Sequence, residues 1–391
     1  MELKMTNNLS IANLPDSLKS DVSTIADVRE VEQLKLFVDN IAIELKVGNS
    51  ISNSFHAYDL WSRFMRNKRK HLPISKSPSK VIVDRDISEK IEGVNYVGRL
   101  GISPAILRGD SEDFMAWPSD REEKTEKALI RLASKGRIAK ISGKVGNRYA
   151  VYFTFSELIQ ELKTVNQSLN QTELKESLLI LKGAELSLSY KAIDSNGEVL
   201  ESNETIMNYL SAIHFSSGRG RSNVRCVAVL NELMSQQIES VEYKSFYYNR
   251  TQSFKRSLSI WLSFRLYRMF RYASPSHTHH FSLIKTMVKF GSLDSDQAVG
   301  NRLIVFRRDM TATMKDLMSA DIIKSYDIQN SKNDEGIIID YKYTLYPTDK
   351  FCQEIIDLNK HSIRITEKAK KLESVTEGFF EGGDIPLNLN V

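Results

Sequence analysis

Cysteine is almost missing from this chain: Cys226 and Cys352 are the only two in 391 residues. That excludes a Cys-rich zinc module and a disulfide-stapled miniprotein. Two distant thiols in a large chain fit a reducing cytoplasm, the expected location. Glycine numbers 18, far too few for a collagen-like repeat. No window approaches about 18 uncharged apolar residues, so no membrane span is expected. Asn7, Asn8, Asp16 and Lys19 interrupt the N-terminal region, so a secretory signal is not expected either. Charge of one sign is also lacking. Lys plus Arg number 54 against 49 Asp plus Glu, a net +5, so any anionic partner must be argued from where the charges sit.

What is present is ordinary globular material. Hydrophobic residues are 41% and charged residues 26%, which excludes a largely disordered chain. At about 100–200 residues per domain the length allows two to three domains. The first ~30 residues are polar and weakly patterned. Over Glu30–Lys46, Val31, Leu34, Val38, Ile41 and Leu45 repeat with helical spacing. An aromatic, basic stretch follows at His56–Lys70, then strand-like Val81–Val83 and Tyr96–Leu100. Arg121–Ser134 reads as a helix with Gly136 as its C-cap, followed by a hairpin over Arg137–Ile141 and Tyr149–Phe155.

Next comes a unit that repeats. A short helix opens at Phe155-Ser156, with Ser156 as the expected N-cap, and a polar turn leads to a second helix, Thr172–Lys182. A strand (Glu185–Lys191), a turn at Asp194–Gly197 and a return strand complete it. The same order recurs from Phe281-Ser282, through a long helix over Asn301–Ser319, to strands at Ile322–Ile328 and Ile337–Tyr343. The long helix carries an apolar stripe of Leu303, Phe306, Met310, Met314 and Leu317. Lys255–Tyr272 is a further apolar-rich helix, and Asp349–Asn359 the last. Two helices followed by a hairpin form a winged helix, whose second helix fits the major groove. Two copies imply a duplicated domain. The expected fold is therefore α+β and helix-rich: two tandem winged-helix domains, 55–215 and 216–359, behind an N-terminal helical extension, 1–54, and before a flexible tail, 360–391.

Between Phe215 and Met310 there are fifteen basic residues against six acids, a local +9 that exceeds the whole chain's +5. Such a concentration beside a helix-turn-helix is what DNA binding requires. Away from its apolar stripe the long helix offers Asn301, Arg302, Val305, Arg308 and Lys315, with Arg307 at the edge. Asn and Arg pair with adenine and guanine edges, and Arg and Lys hold phosphate. The first unit offers Asn170, Gln171, Lys175 and Lys182, and the loop Gly218–Arg221 adds Arg219 and Arg221 as a basic strap.

Catalytic signatures are absent. No Walker A string occurs, and GRGRSN lacks the later glycine of a dinucleotide loop. His277-Thr278-His279-His280 has two histidines separated by one residue, as in rolling-circle nickases. Here the intervening residue is Thr, in an expected loop, so neither a metal, a cofactor nor an enzyme activity is expected.

The order of elements resembles the iteron-binding replication initiators of bacterial plasmids. VYFTFSELIQEL, the Leu174–Leu181 helix and AELSLSY are similar to their first helix-turn-helix and wing. RSNVRCVAVLNELMSQQIESVEY and SLSIWLSFRLYRMF resemble the start of their second domain. The match runs from Phe55 to Thr348. A departure is the second copy's length, 39 residues from Phe281 to Ala320 against 29 from Phe155 to Ala184. The resemblance implies binding to repeated duplex DNA at an origin, origin opening, and recruitment of the host replicative helicase and initiator; a monomer–dimer equilibrium is a separate expectation. A winged-helix transcriptional regulator is the alternative. Gln33-Leu34-Lys35-Leu36-Phe37 is also similar to the QLxLF peptide that docks on the sliding clamp, with Leu36 and Phe37 filling a pocket and Gln33 at its rim. The competing reading keeps Leu34 on the apolar stripe of a packing or dimer helix.

Overall fold

The structure, a computed structural model, describes residues 22–27, 31–39, 50–55, 58–66, 71–91, 93–143, 146–216, 224–270, 274, 276–294 and 299–381. Among the described residues seventeen strands correct the helix-rich expectation: helix takes 41% of them and strand 35%. The excess strand comes from long hairpins, of which Val83–Ile91 paired with Val94–Ser103 is the clearest. The sequence predicts strand only over Val81–Val83 and Tyr96–Leu100, because Asp84–Lys90 carries a single apolar residue, Ile87.

Two hydrophobic cores organise the chain. The first gathers Leu34, Phe37, Phe55, Leu129, Tyr149, Leu158, Leu178, Leu188, Leu230 and Ile238 among others. The second gathers Tyr247, Trp261, Leu283, Phe306, Met310, Met314, Tyr343 and Phe351. The helix Asp120–Ser134 crosses the first core and begins with a capping box of Ser119 and Glu122. Gly136, at φ 89, follows its end as expected.

The expected domain limits at 54/55 and 215/216 do not coincide with these cores. Val22–Asp27 pairs with Ile138–Gly143 at the edge of a five-stranded antiparallel sheet. In the same sheet Arg225–Leu230 pairs with Gly146–Thr154. The first core therefore claims residues from both sides of each limit, because Phe37, Cys226, Leu230 and Ile238 all bury in it. The N-terminal helix is short, Glu32–Phe37, and the remainder of its expected length, 40–46, lies outside the described residues. At the other end, the last helix runs from Asp349 to Glu381, well past Asn359. Ile365 is buried against the first core, so much of the expected tail is helix.

The repeated unit is present with one difference in topology. In the first copy, helices Phe155–Lys163 and Gln171–Gly183 lead into the hairpin Glu185–Ile193/Val199–Asn208. Thr154, not Ser156, caps the first of these, accepting from Glu157 N at 3.2 Å. A third strand, Val94–Ser103, joins beside the hairpin's outgoing strand. In the second copy, helices Leu283–Phe290 and Arg302–Ser319 lead into Ile323–Lys332/Ile338–Pro347. There His279–Ser282 joins beside the return strand. His279 and His280 therefore stand on a strand, where a loop was expected, because their backbone pairs with Leu345 and Thr344.

Polar contacts dock the copies. Buried Glu89 accepts from Arg265 and from Lys289, the latter at 2.8 Å. Arg66 donates to the Phe290 carbonyl at 3.3 Å while pairing with Asp120 and Glu123.

Candidate nucleic-acid interface

The long helix Arg302–Ser319 presents one face to the second core and one to solvent. Phe306, Met310, Met314 and Leu317 are buried, as their spacing predicts. The opposite face is free. Asn301 starts the helix without a side-chain capping bond, which leaves its amide for another partner. Ile304 is 73% exposed, an unusual value for a large aliphatic side chain, and Val305 is exposed as well. Arg308 has a side chain 75% exposed and, among the described residues, pairs with its neighbour Asp309 at 3.6 Å. Lys315 is exposed about two turns further along. These five form a ridge of one amide, two apolar side chains and two cations.

Two expected members do different work. Arg302 donates to the Ser292 carbonyl and lies over the Phe306 ring at 5.1 Å. It fastens the long helix to the end of the preceding one. Arg307 lies over the Tyr341 ring at 4.7 Å and donates to its hydroxyl at 3.3 Å. It is exposed but held against the hairpin, at the ridge's edge.

The first unit presents a weaker cationic surface. Asn170 accepts from Glu173 N at 2.9 Å and receives the Glu173 carboxylate on its own N–H, a capping box. Its side chain is committed to the helix. Gln171 is half-buried and Lys175 is exposed, its Nζ 5.8 Å from the Phe215 ring centre. The hairpin beyond carries Asp194, Glu198, Glu201 and Glu204, which repel phosphate. Arg219 and Arg221 lie outside the described residues.

The local excess of positive charge is thus partly internal. Arg250 pairs with Glu354 at 3.1 Å, Arg256 with Asp316 at 2.8 Å, and Arg265 and Lys289 with Glu89. Those acids lie outside the stretch Phe215–Met310, so counting within it overstated the free charge.

No family model matches the chain, and no curated protein matches it in sequence. Among solved structures it is similar to domains 2 and 3 of RctB. One crystal structure gives 12% identity and a TM-score of 0.40 over 73% of this chain and 95% of that one. A second gives 12% and 0.38 over 72% and 97%. It is also similar to the Pi initiator protein in complex with iteron DNA, at 12% identity and a TM-score of 0.34 over 51% of this chain and 82% of that one.

Elsewhere, the clamp-like string is built into the fold. Leu34 and Phe37 are fully buried, Leu36 is buried and Gln33 half-buried. Phe37 meets Tyr243 edge-on at 4.9 Å and stacks on Phe55 at 6.2 Å. The packing reading of this segment is the one the core geometry favours. No described helix is long and apolar enough to cross a membrane.

Ile304 is the member of the ridge that charge and amide patterns overlooked. Its signal was present: two residues before Phe306, it falls on the opposite side of a helix whose other large apolar side chains follow one stripe.

Proposed function

We propose that this chain is a non-enzymatic replication initiator that binds repeated sites in duplex DNA at a plasmid or similar bacterial origin. The observation that carries the reading is the free ridge of Asn301, Ile304, Val305, Arg308 and Lys315 on a helix followed by a projecting hairpin. In this reading the second unit is a winged helix whose long helix enters the major groove. Asn301 and Arg308 contact base edges or phosphate, Ile304 and Val305 meet thymine methyl groups, and Lys315 holds backbone phosphate.

The first unit is the second DNA-binding module, with Gln171 and Lys175 toward the duplex. Two modules in one chain suit two halves of a repeat, and several copies side by side bend the origin and favour opening of a nearby AT-rich stretch. Recruitment of the host helicase and initiator then follows, as the resemblance implies.

The test is a footprint on duplexes carrying candidate direct repeats, joined to a replication assay of the origin with and without the gene. Protected repeats plus gene-dependent replication are expected. Protection without replication identifies a transcriptional regulator instead. A metal-dependent nick or covalent protein–DNA adduct, lost on His279→Ala or His280→Ala, overturns the non-enzymatic reading.

A further inference from the structure

A second basic site lies away from the ridge. The helix Ser257–Met269, the strand His279–Ser282, the helix Leu283–Phe290 and the second hairpin enclose a cavity of about 480 Å³. Its cations are Arg265, Lys285, Lys289 and Lys342, and Asp340 is its only carboxylate. That carboxylate is already engaged: Asp340 accepts from Ser282 Oγ and, at 3.1 Å, from Ile284 N at the start of a helix. Glu89, from the first unit, takes one nitrogen of Arg265 and the Lys289 ammonium. It leaves Arg265 Nη1 buried with no hydrogen-bond partner among the described residues. Four cations against two carboxylates, one of them a helix cap, leave an uncompensated positive field in a partly desolvated space. No residue of the long helix Arg302–Ser319 lines the cavity.

The rest of the lining suits more than a bare ion. Trp261 and Phe281 provide aromatic surface, and Ser282, Thr286 and Ser331 provide hydroxyls. His279 is held down to about 4 by burial, with Arg265 and His280 adding to it, so it is neutral at pH 7 and offers a hydrogen bond without charge. The volume falls in the range of small-ligand sites, about 300–1,000 Å³. Cations for phosphate beside aromatic surface for a base is the chemistry that holds a nucleotide.

We propose that this cavity binds a free nucleotide, its phosphates on Lys285, Lys342 and Arg265 and its base against Trp261 and Phe281. The site is distinct from the DNA-reading ridge and does not depend on it. Phosphate could also come from a DNA backbone, and the experiment separates the two sources.

The probes are ADP, ATP and pyrophosphate, titrated into the full chain by calorimetry, alongside a duplex of fixed sequence measured over a range of salt. Saturable ADP or ATP binding is expected. Lys285→Ala and Lys342→Ala, both at exposed positions, are expected to weaken it at least tenfold each, with duplex affinity within twofold of wild type. Pyrophosphate is expected to bind more weakly than ADP, since it lacks the base. Absence of nucleotide binding at millimolar concentration overturns the proposal. So does binding that both variants leave intact. Variants that instead lose duplex affinity and lower its salt dependence, without any nucleotide binding, reassign the cavity to backbone phosphate and overturn the nucleotide reading.

Discussion

The guanidinium of Arg85 lies where Gly291 would carry a side chain. A Cβ on Gly291 would fall against Arg85 Nη1 and Ser62 Oγ. Gly291, at φ 83, ends the helix Leu283–Phe290 in the left-handed conformation, and Arg66 reaches the carbonyl just before it. Two cations from the first unit thus meet the negative end of a second-unit helix. Arg85 donates to Ser62 Oγ, and burial, with Arg66 adding to it, lowers its pKa to about 10 against the opposing pull of Tyr209 and Asp294.

Gly291→Ala tests that junction. The left-handed backbone alone costs a non-glycine residue about 1–2 kcal/mol, and Arg85 and Ser62 must also move. Urea denaturation is expected to show a loss of at least that size. A substitution that leaves the midpoint unchanged would mean the junction is looser than the geometry implies.

On the exposed ridge, if it reads DNA as proposed, Arg308→Ala and Ile304→Asp weaken duplex binding without unfolding the protein, since both side chains are exposed. A lost bidentate base contact costs about 1–3 kcal/mol and relaxes one base position, whereas a lost phosphate contact lowers the salt slope by about one. Arg302→Ala should act differently. It removes the tie to the Ser292 carbonyl, so thermal stability falls together with binding. Identical behaviour of Arg302 and Arg308 in melting curves would contradict this division.

Much of this was legible beforehand, and the reasons for the rest are physical. Spacing located the long helix and its buried stripe because Phe306, Met310 and Met314 obey one period. It also located both hairpins, whose turns carry Asn-Gly and Asn-Asp-Glu-Gly. Asn170 with Glu173 three residues on is a capping box that an expected start at Thr172 passes over, whereas spacing could not tell that Arg302 would turn back onto a carbonyl, since that depends on where a neighbour's backbone ends. The distribution of the first core across the expected limits has a long-range cause. Arg225–Leu230 reads as a strand in any context, and only its partner Gly146–Thr154, some 75 residues earlier, assigns it to the first sheet.

Phe37→Ala is expected to unfold or severely weaken the first core. Phe37 is fully buried between Phe55 and Tyr243, and truncating such a ring costs about 3–5 kcal/mol. Sliding-clamp capture is therefore expected to be negligible for the folded wild type, because a clamp must extract Leu36 and Phe37 together. Micromolar capture by a protein that keeps its native melting temperature would restore the docking reading.

The last prediction concerns His361, on the C-terminal helix. Its ring is buried where that helix packs on the segment 31–39. Burial is the main cause that pushes its pKa down to about 4, with Arg364 and Lys368 acting in the same direction and Asp39 against them. Asp39 does little to rescue the charge because Arg364 and Lys368 already occupy it, at 3.0 and 3.3 Å. The unfolded imidazole titrates near 6.5, so the folded state prefers the neutral ring. Its contribution to stability is fully present above pH ~6.5 and is lost as pH falls toward 4. At about 1.4 kcal/mol per pH unit the loss reaches at most about 3.5 kcal/mol. His279 falls in the same window, so the wild-type slope alone does not isolate either residue. His361→Gln keeps a polar, uncharged side chain there and removes its titration. Denaturation midpoints measured at pH 7.5 and pH 5 are expected to fall less in His361→Gln than in wild type. Equal falls in the two proteins would show that the C-terminal helix can leave the first core without cost, or that His361 is already protonated in it.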